Sequence, residues 1–308
     1  MTKPSGSKNL ASSLRDRLRN RARETGEDVP TLLQRYASER FLYRLGQSTQ
    51  RSRYVLKGAT LFALWGGSLY RATRDLDFTG YGPSDTAAVL AAFREIASVA
   101  VDDDGLRYDL DALVADPIRE ETEYGGLRLR FKAWLGETRI DLQIDVGFGN
   151  AIQPPAAEVD FPTLFGDPAP RIRAYPAEAV VAEKLHALVV LGERTTRLKD
   201  VYDLFVLASR FPFEGPRLEA AIRATFRQRR TAIDLATPTA LAPRFYADGD
   251  RATQWRAYLD RNRLPGAPRD FDEAGERLRA FLGPLWTTLA AGEATVGTWN
   301  SEGRWEAR

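Results

Sequence analysis

The chain has 308 residues, of which 44% are hydrophobic and 28% charged, with a formal net charge of +2 and no cysteine. These totals allow a sizeable core in one large or two smaller domains, and they exclude disulfides, thiolate zinc centres and cysteine nucleophiles. His186 is the single histidine, so a multi-histidine metal site is excluded as well and any metal must be held by oxygen.

No apolar run is long enough to cross a bilayer, and the polar start lacks the apolar core of a secretory signal, which points to the cytoplasm and to no membrane partner. Residues 1–50 carry ten Lys or Arg against five Asp or Glu. That surplus suits an anionic partner or a solvated helix face. Helical spacing over 10–24 and 30–45, broken by Thr25-Gly26-Glu27-Asp28, predicts a basic helical arm over 1–50. A short strand over 54–56 ends at Gly58, a helix follows over 60–65, and a second strand covers 75–78. A helix over 84–98 takes Ser84 as its N-cap.

Between 106 and 148 the pattern alternates, most clearly in "LRLRFKAWLG" and "TRIDLQIDVGFG", so this region supplies most of a sheet. One more strand is predicted over 171–175, before Pro176 opens a helix to 191. Further helices are expected over 199–209, 216–230, 238–246, 252–261 and 271–291, with a polar, frayed tail after Gly297. Arginine mingles with aromatic residues in "RFYADGDRATQWRAY" (244–258), which suits either base stacking or a helical core face.

Asp75 and Asp77 are two apart on a strand and therefore share a face. Paired carboxylates repel, and a hard cation such as magnesium relieves that repulsion. In "RIDLQIDVGFG" the polar Asp141, Gln143 and Asp145 share one face of another strand; Asp145 or Asp141 completes a three-carboxylate set if the two strands are neighbours. The spacing is equally that of an amphipathic strand with a watery face. Gly58 and Gly66-Gly67 allow close approach of backbone amides to a phosphate, and Thr60 and Ser68 add hydroxyls. Farther on, Glu183, Lys184, Arg194, Arg197, Lys199, Asp200 and Asp203 lie on or around two helices, where Lys184 suits a phosphate and Asp200 or Asp203 suits orienting that lysine; intrahelical pairing on a solvated face is the plain alternative. His186 does not share the helix face of Lys184 and reads as a packed or surface residue rather than a general base.

Four blocks in order, "LKGATLFALWGGSLYRATRDLDF", "IDLQIDVGF", "AYPAEAVVAEKLHALV" and "RLKDVYDLFVL", resemble the nucleotidyltransferase toxins of the AbiEii/AbiGii family, which include the MenT-like toxins. The resemblance implies an α+β protein with a DNA polymerase β-like nucleotidyltransferase core: a helical arm over 1–50, an α/β domain over 51–175 with a small mixed sheet, and a helical domain over 176–308 that completes the active-site cleft. It makes Asp75, Asp77 and Asp145 the metal carboxylates and Lys184 the phosphate-holding lysine, with Asp200 or Asp203 as the acid of the last motif. Lys57, Gly58, Ala59, Thr60 and Arg74 form the expected nucleotide-contacting segment, although Ala59 stands where family members commonly have Gly, Ser or Thr.

The chemistry so implied is transfer of a nucleoside monophosphate from a nucleoside triphosphate to a hydroxyl with release of pyrophosphate, with two magnesium ions at Asp75, Asp77 and Asp145, or manganese in their place, as cofactor. The resemblance further implies RNA, particularly the tRNA 3′ end, as acceptor. It also implies an antitoxin partner of regulator or kinase type, with Thr60 and Ser68 as hydroxyls placed for phosphorylation. A small-molecule or protein hydroxyl is the alternative acceptor, and an RNA-binding module without catalysis is the alternative from another class.

Overall fold

The computed structural model describes residues 5–65, 73, 75–118, 125–195, 197–264 and 266–307, with the side chains of 5–8 left aside. The chain divides into two compact units. The first holds the described residues up to Trp65, then 73–149 and Ala157–Ala174; the second holds Asn150–Ala156 and everything from Tyr175 on.

In the first unit, α1 (Ser5–Thr25) and α2 (Val29–Gln47) precede β1 (Tyr54–Lys57), the single-turn α3 (Leu61–Leu64), β2 (Asp75–Gly80) and α4 (Thr86–Ser98). Strands β3 (Leu106–Ile118), β4 (Gly126–Leu135), β5 (Thr138–Phe148), β6 (Ala157–Asp160) and β7 (Arg171–Ala174) follow. They form one seven-stranded mixed sheet in the order β3-β4-β5-β2-β1-β7-β6. The β2–β5 and β1–β7 pairs are parallel and the remaining pairs antiparallel.

Alternation decides which face is buried. Ile140, Leu142, Ile144 and Val146 of β5 point into the core, whereas Asp141, Gln143 and Asp145 point the other way. The core face is filled by an aromatic cluster in which Phe93 of α4 meets Tyr54 of β1 at 4.9 Å and stacks on Phe41 of α2 at 5.9 Å. Asp28 caps α2 by accepting the Thr31 N–H at 2.8 Å. Two of the arm's positive charges are structural: Arg44 pairs with Asp104 at 2.5 Å and Arg40 at 3.4 Å, all three buried. By contrast Arg17, Arg19, Arg21 and Arg23 of α1 are exposed.

The second unit comprises α5 (Ala177–Leu191), α6 (Leu198–Arg210), β8 (Phe213–Glu214), α7 (Gly215–Gln228), α8 (Pro243–Tyr246), α9 (Gly249–Asn262), α10 (Phe271–Ala290), β9 (Thr298–Trp299) and β10 (Trp305–Glu306). Among the described residues no helix is long and apolar enough to cross a membrane.

Four expectations need correction. The cap of α4 is Asp85, which accepts the Ala88 N–H at 2.9 Å, rather than Ser84. The helix expected over 238–246 splits into a short 3-10 turn at Thr239–Leu241 and α8, because Pro243 has no N–H to continue the ladder. The tail is not frayed: β8, β9 and β10 make a small antiparallel sheet, with Trp299 fully buried and its Nε1 donating to the Ala208 carbonyl at 2.8 Å. The aromatic residues of 244–258 are no stacking platform, since Phe245, Tyr246 and Trp255 lie in the core beside Phe271.

Candidate active site

β2 places Asp75 and Asp77 on the sheet face opposite the aromatic core, and the parallel β2–β5 register sets Asp77 beside Asp145 and Asp75 beside Gln143. Across the other edge of β2, Asp77 faces Lys57 of β1. Asp145 in turn faces Arg128 of β4. Side chains directly across a ladder share a face, so Lys57, Asp77, Asp145 and Arg128 form one row across four strands, with the two carboxylates in the middle and a cation at each end.

Arg128 was not anticipated from sequence. Its Nε and Nη2 donate to the two carboxylate oxygens of Asp145 at 2.9 and 2.7 Å. The bond to Asp145 is the main reason its guanidinium is held above the ordinary arginine range; burial opposes the shift, and the charges of Asp145, Asp75 and Asp77 add to it. The signal for Arg128 was present in the hairpin. Leu135 pairs with Thr138 across the two-residue turn Gly136-Glu137, with Gly136 at φ +61°, and counting back from that turn puts Arg128 opposite Asp145.

The Gly58 turn packs against the Asp77 carboxylate. Gly58 has φ +76°, and a Cβ at this position would be built into the Asp77 carboxylate, so only glycine lets the backbone lie there. Thr60 does not offer a free hydroxyl: it is buried, and its Oγ1 donates to the Asp75 carbonyl at 3.3 Å, fixing the start of β2. That burial also counts against Thr60 as a phosphorylation target. Ala59 is buried and contributes packing. Arg74, Gly66-Gly67 and Ser68 lie outside the described residues.

Asp75 and Asp77 supply the hard oxygen donors that magnesium prefers, from one face of one strand. Among the described residues, however, no three His, Cys, Asp or Glu side chains gather closely enough to hold a metal ion. Asp145 is engaged by Arg128, and the alternative third ligand, Asp141, is exposed and paired with Arg139 at 2.9 Å.

The remaining predicted residues form a second cluster, inside the second unit. The Lys184 ammonium on α5 sits 2.6 Å from Asp203 and 3.0 Å from Asp200 of α6, and Arg197 pairs with Asp200 at 2.9 Å. Both aspartates are buried. They are three apart on one helix and so face Lys184 together. Both orient the lysine, so neither stands out as the single acid of the last motif. His186 is also buried: Arg229 donates to its Nδ1 at 3.3 Å, which leaves Nε2 to donate to Thr231 at 2.8 Å. Burial, reinforced by Arg229 and opposed by Glu183, pushes its pKa down to about 4, so it is a neutral packed residue.

The mixed sheet, with two carboxylates on a central strand and a glycine turn against them, defines a nucleotidyltransferase fold. One solved structure that it resembles is a protein from H. pylori described as a candidate nucleotidyltransferase, matched at 16% identity and TM-score 0.50 over 86% of this chain and 98% of that one. JHP933 from Helicobacter pylori is matched at 16% identity and TM-score 0.49 over 85% of this chain and 94% of that one. A search of curated proteins finds no match. The family profile described as "Nucleotidyl transferase AbiEii toxin, Type IV TA system" matches residues 40–277. The chain belongs to this family of toxin nucleotidyltransferases.

Proposed function

We propose that the protein transfers a nucleoside monophosphate from a nucleoside triphosphate to a hydroxyl of RNA, with the tRNA 3′ end as the acceptor, as the toxin of a cytoplasmic toxin–antitoxin or phage-defence system. The observation that carries this reading is the pair Asp75 and Asp77 on one face of β2, with Asp77 against the Gly58 turn and in register with Asp145 on β5. The exposed arginines of α1 support an anionic macromolecule as the acceptor.

In this reading Asp75 and Asp77 hold divalent magnesium, or manganese, which when bound lowers the pKa of the attacking hydroxyl and neutralises charge on the leaving phosphates. The backbone of Lys57, Gly58 and Ala59 turns close to that position, Lys57 pairs with Asp77 across the β1–β2 ladder as a cation to attract phosphate, and Thr60 anchors the Asp75 carbonyl so that the carboxylates keep their direction. Lys184 is the phosphate clamp, oriented by Asp200 and Asp203. A cognate antitoxin restrains the toxin.

The test is incubation of the purified chain with total tRNA, magnesium and each labelled nucleoside triphosphate in turn. Label is expected on tRNA with the wild-type chain and at least a hundredfold less with Asp77→Asn. Label on protein or on a small acceptor instead would replace the RNA acceptor, and retention of tRNA without any label would replace the enzyme reading altogether.

A further inference from the structure

We infer that the second unit carries a pocket for a backbone phosphate of the acceptor RNA, built from Arg197, Lys199 and Arg261. The inference rests on the reading of RNA as the acceptor and names the residues of the helical unit that hold it. The pocket is a cavity of about 500 Å³ between the start of α6 and one face of α9. Arg197 and Lys199 belong to one wall; Gln254, Tyr258 and Arg261, four and three residues apart along α9, belong to the other. Burial of Trp255 and Leu259 anchors α9 and so fixes that second wall.

Formal charge decides what the pocket accepts. Three of its lining residues are cationic and none is acidic. Arg197 is already balanced: it and Lys184 are matched by Asp200 and Asp203, two cations to two carboxylates. Asp260, the acid next to Arg261 in sequence, is taken by the fork of Arg269 at 2.6 and 3.1 Å. Lys199 and Arg261 are exposed and, among the described residues, neither is in an ion pair, so these two supply the surplus. A phosphodiester suits that surplus, with the Arg261 guanidinium as a fork and the Lys199 ammonium as a point charge on its oxygens. The triphosphate is not the occupant. Its clamp in the functional reading, Lys184, does not line the pocket, and Asp200 lies between Lys184 and Arg197 with one oxygen toward each.

The experiment titrates the full chain with a fluorescein-labelled total tRNA pool at several potassium chloride concentrations. Lys199→Gln combined with Arg261→Gln is expected to weaken binding at least tenfold and to reduce the slope of log affinity against log salt by about 1 to 2. Arg197 is left intact because it also pairs with Asp200. Arg256→Gln, which removes an exposed arginine of α9 outside the pocket, should stay within twofold of wild type. In the labelling assay the double variant should raise the KM for tRNA at least tenfold and leave the KM for the triphosphate within twofold. Unchanged tRNA affinity in the double variant, an equal loss in Arg256→Gln, or a raised KM for the triphosphate alone would each overturn the inference. Circular dichroism on the same samples confirms that the variants fold. A wild-type chain that holds tRNA through the pocket yet transfers no label removes the transfer reading and keeps the pocket, whereas transfer to tRNA that the double variant leaves unimpaired removes only the pocket.

Discussion

The Lys184 ammonium lies 2.6 Å from a carboxylate oxygen of Asp203, and that aspartate is completely buried. Removing one partner of such a pair leaves the other charge uncompensated in the interior, at a cost of about 3–5 kcal/mol. In Asp203→Asn the remaining Asp200 has to serve both Lys184 and Arg197, so the loss is expected at the low end of this range. Asp200→Asn should cost less, because Asp203 still neutralises Lys184 and the released Arg197 is 44% exposed. Denaturant midpoints of the two variants check the order; equal losses would show that the two aspartates share the lysine evenly.

Gly58→Ala tests whether the carboxylate face depends on the turn beneath it. The left-handed backbone alone costs about 1–2 kcal/mol for a residue with a Cβ, and that carbon would displace the Asp77 carboxylate. Transfer is expected to fall at least tenfold while the protein remains folded at 25 °C, measured by labelling and by thermal unfolding. Ala59→Gly, one residue on, should leave transfer within about threefold.

Glu39 on α2 is buried, with one oxygen accepting the Leu164 N–H at 3.0 Å, and burial pushes its pKa up to about 7. The folded state therefore holds this proton more tightly than the unfolded chain, and stability falls as pH rises from about 4.5 to about 7. Glu39→Gln is expected to stabilise the protein at pH 8 by up to ~3 kcal/mol, with the gain vanishing by pH 4.5. Unfolding midpoints of both proteins across that range measure it.

His186 gives the opposite slope. Its folded pKa of about 4 lies below the unfolded value near 6.5, so between these the unfolded chain binds the proton and the folded one does not. Stability is fully present above about 6.5 and declines as pH falls toward 4. His186→Gln should flatten that decline, even if it weakens packing against Phe226 at every pH.

How far the sequence reached differs by element. The two-residue hairpin at Gly136-Glu137 and the alternation of β5 were legible, and together they determine that Arg128 faces Asp145; only the counting across the turn was missing. The positions of Asp75 and Asp77 on one strand face were legible for the same reason, since a period of two is local. The C-terminal sheet was not, because Trp299 and Trp305 are held by the carbonyls of Ala208 and Phe281, 91 and 24 residues away, and no local pattern encodes such partners. Nor does helical spacing distinguish a half-buried Lys184 between two acids from an exposed lysine with intrahelical pairs; the difference is made by the packing of α5 against α6.

Helix α2 depends on chain made much later. Arg40 donates to the Pro168 carbonyl at 3.2 Å, Glu39 accepts from Leu164, and the backbone at Gly46 runs so close to Arg171 that a Cβ there would lie 2.7 Å from its carbonyl oxygen. During vector-like synthesis from the N-terminus, these polar and backbone contacts of α2 form only once the segment ending in β7 has left the ribosome. Until then the carboxylate-bearing sheet lacks its last inner strand, and β1, which lines up Lys57 with Asp77, has a neighbour on one side only.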